Sequence, residues 1–338
     1  MAEKTDRRGF LNRTVAGAAA LGVTLGREEK ILLAAMEDGT ARAKPATPSI
    51  APGSLARGKI GKVSISRLLM GSNLMSGWAH SRDLLYVSQL FKAYNTEPKV
   101  LETLALAEQC GINTIIDPGM DGIVERYNRQ HGGKMQTLIC LGLDDDKAHL
   151  RDQIKSLADH GAALIYTHGE ATDRFVRNGR LDLIAATLDM IRAQGIPAGV
   201  GSHSLETPEL CEKKKVNPDF YVKTFHQDGY WSATPKERRE EGCWYLPNAG
   251  DHDGYNDNIW CLDADKTAAF MATVSKPWIA FKVMAAGAIP PRQAFAHAYR
   301  HGADFIVAGM FDFQIEDDVK IALEALRRNQ TRSRAWHG

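Results

Sequence analysis

From Lys59 onward, short apolar runs alternate with amphipathic stretches at a steady spacing. Eight runs carry the pattern: Ser66–Ser72, Ile112–Pro118, Met135–Leu143, Ala162–His168, Ile196–His203, Asp219–His226, Trp278–Ala286 and Ala303–Met310. They read as continuous apolar segments, as parallel strands covered on both faces do. Helical periodicity fills the intervals, notably over 99–110, 146–160, 181–194, 266–274, 292–300 and 316–327. Gly111, Gly161, Gly195 and Gly302 each stand just before a run, where a helix end needs a left-handed residue. Eight alternations predict a single (β/α)8 barrel, a TIM barrel, over 58–330. A doubly wound open sheet is the alternative. It calls for a glycine-rich dinucleotide turn after its first strand, and the sequence has none. Lys59–Ile65 reads as a small hairpin plugging the barrel bottom, and 331–338 as a tail. Two stretches exceed the repeat: Leu74–Pro98 after the first run and Gln227–Asp263 after the sixth. Both leave from C-terminal strand ends, where barrel enzymes build their sites.

The first 57 residues do not follow this pattern. Thr5–Asn12 reads T-D-R-R-G-F-L-N, and a mildly apolar, Ala/Gly-rich stretch follows over Val15–Leu25. Basic, then apolar, then small is the order of a secretory leader, and Arg7-Arg8 ahead of Phe10-Leu11 resembles the twin-arginine (Tat) type. Ala41-Arg42-Ala43 offers a small-x-small cleavage site, giving a signal peptide over 1–43 and a Pro/Ala/Ser/Gly linker over 44–57. The alternative is a basic disordered tail. The signal implies a bacterial protein, the Tat machinery as a partner, a periplasmic or extracellular location, and no membrane anchor on the mature chain.

Composition adds mostly exclusions. Apolar content of 44% and charged content of 25% suit a globular domain, and a net charge of +1 gives no case for nucleic acid or a membrane surface. The five cysteines include no C-x-x-C pair, which argues against a thiolate zinc or iron–sulfur centre. Cys110, Cys140 and Cys211 fall in apolar periodic segments and read as small core residues, while Cys243 and Cys261 flank a loop and could pair in an oxidising compartment.

The residues that close the runs carry the candidate chemistry. In order they are Asn73, Asp117, Asp144, His168, His203, His226, Lys282 and Gly309. In a barrel these converge on one mouth. His168, His203 and His226 stand at consecutive strand ends, so neutral imidazoles could hold a divalent Zn, Mn or Fe ion, or could line a metal-free pocket. Asp117, His168 and Lys282 are the candidate catalytic groups. A lysine in an apolar strand suits Schiff-base chemistry, or could instead neutralise Asp117. Asn73, Trp78, His80, Glu170, Asp228 and Trp231 are candidate substrate contacts, because aromatic faces beside polar groups suit sugars. Gly287 and Gly309, in small-residue turns after the last two runs, are candidate positions for a cofactor phosphate.

Three stretches resemble aldo/keto reductases: K-I-G-K-V-S-I-S-R-L-L-M-G-S-N near the start, A-E-Q-C-G-I-N-T-I-I-D, and F-I-V-A-G-M-F-D-F-Q-I-E-D-D-V near the end. The resemblance implies a barrel with nicotinamide, NAD(P), at its mouth and an Asp, Tyr, Lys and His tetrad. Asp117 and His168 match two of its positions. The segment after Asp117 reads P-G-M-D-G where the tyrosine belongs, and the third run ends I-C-L-G-L-D where the lysine belongs, so the tetrad is incomplete. Three functions follow as expectations. The first is a metal- or acid/base-assisted isomerase, lyase or hydrolase acting on a carbohydrate or related hydroxy/keto compound. The second is an NAD(P)-dependent oxidoreductase with an altered proton donor, and the third a non-catalytic periplasmic binding protein; an oligomer is compatible with each.

Fused ahead of a folded reporter, residues 1–56 should carry it into the bacterial periplasm. Exchanging Arg7→Lys and Arg8→Lys together should hold it in the cytoplasm. Equal export of both reporters, measured by cell fractionation, refutes the signal.

Overall fold

A computed structural model describes residues 49–338 except 52, 79, 81–83, 85, 118–121 and 241–258, and the signal-peptide residues lie outside this set. Eight parallel strands close into a barrel. They are β3 (Leu68–Gly71), β4 (Thr114–Asp117), β5 (Gln136–Leu141), β6 (Leu164–Thr167), β7 (Ala198–Ser202), β8 (Phe220–Thr224), β9 (Trp278–Phe281) and β10 (Phe305–Gly309), and β10 pairs with β3. Every strand falls inside a predicted run. Before them, β1 (Arg57–Ile60) and β2 (Val63–Ser66) form the expected antiparallel hairpin, turned at Gly61 with φ +57°. Ile60 and Ile65, fully buried, close the lower end of the barrel interior.

Strand residues alternate between two apolar compartments, as pleating requires. Inside lie Leu69, Ile116, Leu138, Leu164, Tyr166, Phe220, Val222, Ile279, Phe305 and Val307. Outside, Ile115, Ile165, Tyr221, Trp278 and Ile306 pack beneath the helices. The interior is filled by size-matching. A Cβ on Gly199 would lie 2.4 Å from the Phe220 ring, so the large ring on β8 occupies the space that β7 leaves empty.

The helices are α1 (Asn73–Ser76), α2 (Tyr86–Tyr94), α3 (Glu97–Gln109), α4 (Ile123–His131), α5 (Lys147–Asp159), α6 (Gly169–Arg177), α7 (Leu181–Arg192), α8 (Glu206–Lys213), α9 (Ala264–Met271), α10 (Pro291–Arg300) and α11 (Asp312–Arg328). Local chemistry sets their ends. Asp146 caps α5 by accepting from the Ala148 and His149 amides at 2.8 and 3.2 Å, and Asp263 caps α9 from Lys266 at 2.9 Å. At the other ends Gly111 and Gly302 take φ +94° and +107°, the left-handed turn expected there. None of the helices among the described residues is long and apolar enough to cross a membrane. The described residues of both predicted insertions follow the C-terminal ends of β3 and β8, the first carrying α1 and α2.

The barrel's lower end is tied by ions. Asp304, fully buried just before β10, accepts from Arg332 Nη2 at 2.6 Å and from the His337 amide at 2.8 Å through Oδ1. Through Oδ2 it accepts from Arg334 Nη1 at 2.7 Å and from the Trp278 amide, the first residue of β9, at 2.9 Å. Arg334 spends its remaining donors on the carbonyls of Met271, Gly302, Val274 and Lys276. Residues 331–338, which the sequence sets apart as a tail, are therefore anchored on the barrel's lower end, with Arg334 buried in it. The Cys110 and Cys211 thiols are buried, and burial raises them to about 11 and about 12, in keeping with core roles. Cys261 is buried too, but Cys243 lies outside the described residues, and so does their proposed pairing.

Removing one partner from a buried ionic network strands the others, at a cost of about 3–5 kcal/mol, whereas an exposed pair is worth under about 1 kcal/mol. Asp304→Asn should therefore lower unfolding free energy by roughly 3–5 kcal/mol in urea titration. Asp159→Asn, which breaks the exposed pair with Lys155, should change it by less than about 1 kcal/mol. Equal effects would show that the clamp contributes no more than a surface pair.

Candidate active site at the barrel mouth

Lys282 follows β9 immediately. By strict alternation it would join Trp278 and Ala280 on the outer face. Its backbone instead takes φ +56°, a left-handed conformation that costs a non-glycine residue about 1–2 kcal/mol. Ala285 and Ala286, a few residues on, are left-handed as well. The half-buried Lys282 side chain reaches the C-terminal loops, where Nζ lies 2.9 Å from His80 Nε2 and 5.0 Å from the centre of the Trp260 ring. His80 comes from the loop after β3 and meets the edge of Trp260 at 5.6 Å. Two long loops and one strand end thus converge on a single amine.

Imidazoles surround that amine. His168 caps α6, its Nδ1 accepting from the Ala171 amide at 3.4 Å, with the ring exposed at the mouth. His203, buried after β7, lies over Gly169 and 5.5 Å from the Phe281 ring. All three rings are held neutral. Desolvation, then the charges of Lys282 and His203, lowers His80 to about 3. Desolvation also takes His203 well below the ordinary histidine value and lowers His168, with the Lys282 charge adding to both. Beneath them, Tyr166, Cys140 and Phe281 belong to the interior apolar compartment. Among the described residues the mouth sets three neutral imidazoles near the Lys282 amine, above an apolar floor.

Two groups in this neighbourhood escaped the sequence reading. Asp173, on the buried face of α6, accepts from the His203 amide at 2.7 Å, the Ser204 amide at 3.2 Å and Thr207 Oγ1 at 2.7 Å. Its Oδ2 also stands 3.4 Å from His203 Nδ1, and burial raises its pKa to about 6. The signal was an acid on an otherwise apolar helical face, among Thr172, Phe175 and Val176. Lys223 is the second. It is 1% exposed within β8, and its Nζ donates to Thr224 O and Oγ1 at 3.0 Å. The sequence marked Lys282 as the lysine in an apolar strand, a description that fits Lys223 better.

The predicted three-histidine metal centre is not assembled. His226 is 1% exposed, and its ring is bonded within its own loop. Its Nδ1 donates to Gln227 O at 2.9 Å, and its Nε2 accepts from the Trp260 and Cys261 amides, each at 3.1 Å. Both nitrogens are committed to holding the loop that follows β8, so the ring has no lone pair for a metal. Among the described residues no group of three His, Cys, Asp or Glu side chains could hold an ion.

The remaining candidates scatter around the rim. Asp228 is paired with Arg239 at 2.6 Å, which lowers its pKa. Glu170 is half-buried on the first turn of α6 and acts on His168 through its charge. Trp78 and Trp231 are 69% and 90% exposed on the two long loops. Asn73 opens α1, where its carbonyl accepts from the Trp78 amide at 2.8 Å. Leu74 lies against Gly309, 3.2 Å from where a Cβ would stand, so a side chain covers the backbone expected to cradle phosphate; Gly287 is open. Asp117 closes β4, and its side chain lies outside the described residues.

The His226 assignment has a pH signature. Its folded pKa of about 4 lies below the ordinary 6.5, burial being the main cause. A depressed folded pKa means that the stability His226 contributes is complete above pH 6.5 and is lost as pH falls through about 4. His226→Asn should thus be destabilised at pH 7.5, with the deficit narrowing by roughly 2–3 kcal/mol on titration to pH 4. A deficit constant across that range, measured by urea unfolding, would remove the structural assignment.

No family model matches the sequence, and no curated protein matches it. Solved structures match at low identity. Truncated 3-deoxy-D-arabino-heptulosonate 7-phosphate synthase from Thermotoga maritima is 11% identical over 82% of this chain and 94% of its own, with a TM-score of 0.47. Mandelate oxidase with (S)-2-phenylpropionate is 11% identical over 85% of this chain and 80% of its own, with a TM-score of 0.48. Native KDPGal is 12% identical over 70% of this chain and 91% of its own, with a TM-score of 0.41. Likeness at this level concerns architecture, which the closed barrel already establishes, and carries nothing about chemistry.

Proposed function

We propose that this chain is an exported barrel enzyme that moves a proton at the carbon next to a carbonyl, in a carbohydrate or related hydroxy/keto compound. The observation that carries the reading is the Lys282–His80 contact at 2.9 Å within a set of imidazoles held neutral. Removing a proton beside a carbonyl needs two things at once: a base for the proton and a cationic or hydrogen-bonding group for the charge that develops on oxygen. Neutral imidazole is the base, and the amine of Lys282 engages the carbonyl.

His203 is suited to the base role. Its ring lies against Gly169 and Phe281, and Asp173 beside Nδ1 favours a proton there, which leaves Nε2 as the lone-pair nitrogen. When the ring takes a second proton, the same carboxylate stabilises the imidazolium. Asp173 is a positioning residue, since it acts through His203. His168, exposed at the mouth, exchanges the proton with solvent. The exposed rings of Trp78 and Trp231 offer flat faces for the C–H side of a sugar. The same proton step underlies isomerisation and elimination, and the residues described do not require a metal for it.

The reading is tested by incubating the protein in D2O with dihydroxyacetone, glyceraldehyde, pyruvate and a panel of aldoses and ketoses, following loss of the C–H signal next to the carbonyl by proton NMR. Exchange is expected with at least one compound. His203→Gln and Lys282→Met should each slow it by about 10²-fold or more, and Asp173→Asn should shift its pH profile. Absence of exchange with every compound, alongside unchanged ligand binding in the histidine variants, would leave a binding protein instead.

A further inference from the structure

We infer that Lys282 acts covalently, forming an imine with the carbonyl carbon of its substrate, so that the ligand class of this mouth is aldehydes and ketones rather than carboxylic acids or esters. The inference rests on the proton-transfer reading and extends it. Three observations point to an amine placed for attack. The first is the backbone. A lysine serving only to fill or neutralise would need no special conformation, yet the chain turns left-handed at Lys282 itself, with φ +56°, and again at Ala285 and Ala286. That turn takes the side chain off the outer face and into the mouth.

The second is the immediate partner of Nζ. It is a neutral imidazole nitrogen, His80 Nε2 at 2.9 Å, which accepts a hydrogen bond from Nζ and so fixes the direction of the amine without adding a charge that would tie it up as an ion pair. The third is the surround. One side of Nζ faces the Trp260 ring at 5.0 Å, and the charge of Lys282 acts on His168 and His203 as well. The amine therefore has several proton carriers around it and a flat apolar wall behind it. Lys223 contrasts with this arrangement: it is 1% exposed and spends Nζ on Thr224.

The chemistry balances without a further reagent. The Nζ lone pair attacks the carbonyl carbon, a C–N bond forms, and the carbonyl π pair moves to oxygen, which takes the proton that the Lys282 ammonium gave up on becoming an amine. The nitrogen gives a proton to an imidazole. That proton then leaves with the hydroxyl group as water while the nitrogen lone pair closes the C=N bond. Amine and carbonyl have become imine and water. Protonated on nitrogen, the imine draws electrons from the neighbouring carbon more strongly than the carbonyl did, which is the property a base such as His203 needs.

The test is reductive trapping in the full mature chain. Protein is treated with sodium cyanoborohydride and either dihydroxyacetone or pyruvate, and adducts are located by peptide mass mapping. One secondary amine is expected at Lys282, formed at least about ten-fold faster than at any exposed lysine. Lys282→Arg, which keeps the charge but not the nucleophile, should abolish it while retaining the wild-type melting transition. His80→Leu, which removes the acceptor that orients Nζ, should slow trapping about ten-fold. Labelling spread over surface lysines and unchanged in Lys282→Arg overturns the imine. Proton exchange in D2O without a Lys282 adduct also overturns it and leaves the proton-transfer reading standing. An adduct without exchange supports the imine and removes the proton-transfer reading.

Discussion

Closure of the barrel between β9, β10 and β3 is the constraint on which the rest of the molecule depends, and Asp304 sits at the foot of that seam. Its carboxylate binds the amide that opens β9 while the residue itself leads into β10, so one side chain holds the two strand starts together. Two arginines from the last residues of the chain complete it. Burying three charges costs several kcal/mol of hydration per ion, which is recovered only where nearly every donor finds an acceptor. That condition is met at Arg334, whose guanidinium serves five oxygen acceptors. The stability of this end frees the other for function. The backbone after β9 adopts three left-handed non-glycine residues at the opposite end of the same strand, a local expense that only a rigid frame can sustain.

The mouth is organised by the reverse electrostatic logic. At the foot, opposite charges are matched. Around Lys282, the charge meets rings that could become cationic and are kept from doing so. Desolvation is the larger cause at His80, His168 and His203, and the lysine adds to it at each. A cluster of this kind holds lone pairs, not protons, at neutral pH, and a ring that is to take a proton needs a neighbouring carboxylate to support the imidazolium. Among the described residues Asp173 is the carboxylate beside His203, and it reaches the ring from the helix side.

Most of the architecture was legible because it depends on patterns that recur. Each of the eight runs was long enough to identify a strand buried on both faces, and the glycines before them marked the turns. The site was legible by position but not by direction. His168, His203, His226 and Lys282 all close strands as expected, yet which way a ring points depends on what else competes for its nitrogens. His226 shows the limit: two amides and a carbonyl from its own loop capture the ring, and no spacing in the sequence reports a bond to Trp260 or Cys261. Lys282 shows the converse. Alternation would send it outward, and only the left-handed backbone, invisible in a lysine codon position, returns it to the axis. Asp173 is hidden because it acts from α6, a helix that covers β7, and not from a strand end. The C-terminal clamp is illegible for a similar reason: residues 331–338, T-R-S-R-A-W-H-G, have no hydrophobic period, and their order comes from the distant Asp304 and Arg67.

The two lysines of the upper barrel make the last distinction. Lys223 is the more deeply buried, and burial alone would make it the more perturbed and so the more suspect. Depth, however, also removes it from any ligand, since it is 1% exposed and its amine donates to Thr224 beside it. Reactivity requires a group that is desolvated on the protein side and reachable from the other. Lys282 meets both conditions because it stands where two loops fold over a strand end, with His80 from one and Trp260 from the other. The barrel supplies the position, and the insertions supply the environment. On this argument the insertions after β3 and β8 are what make a common fold specific, and chemistry at this mouth should change more with their residues than with those of the strands.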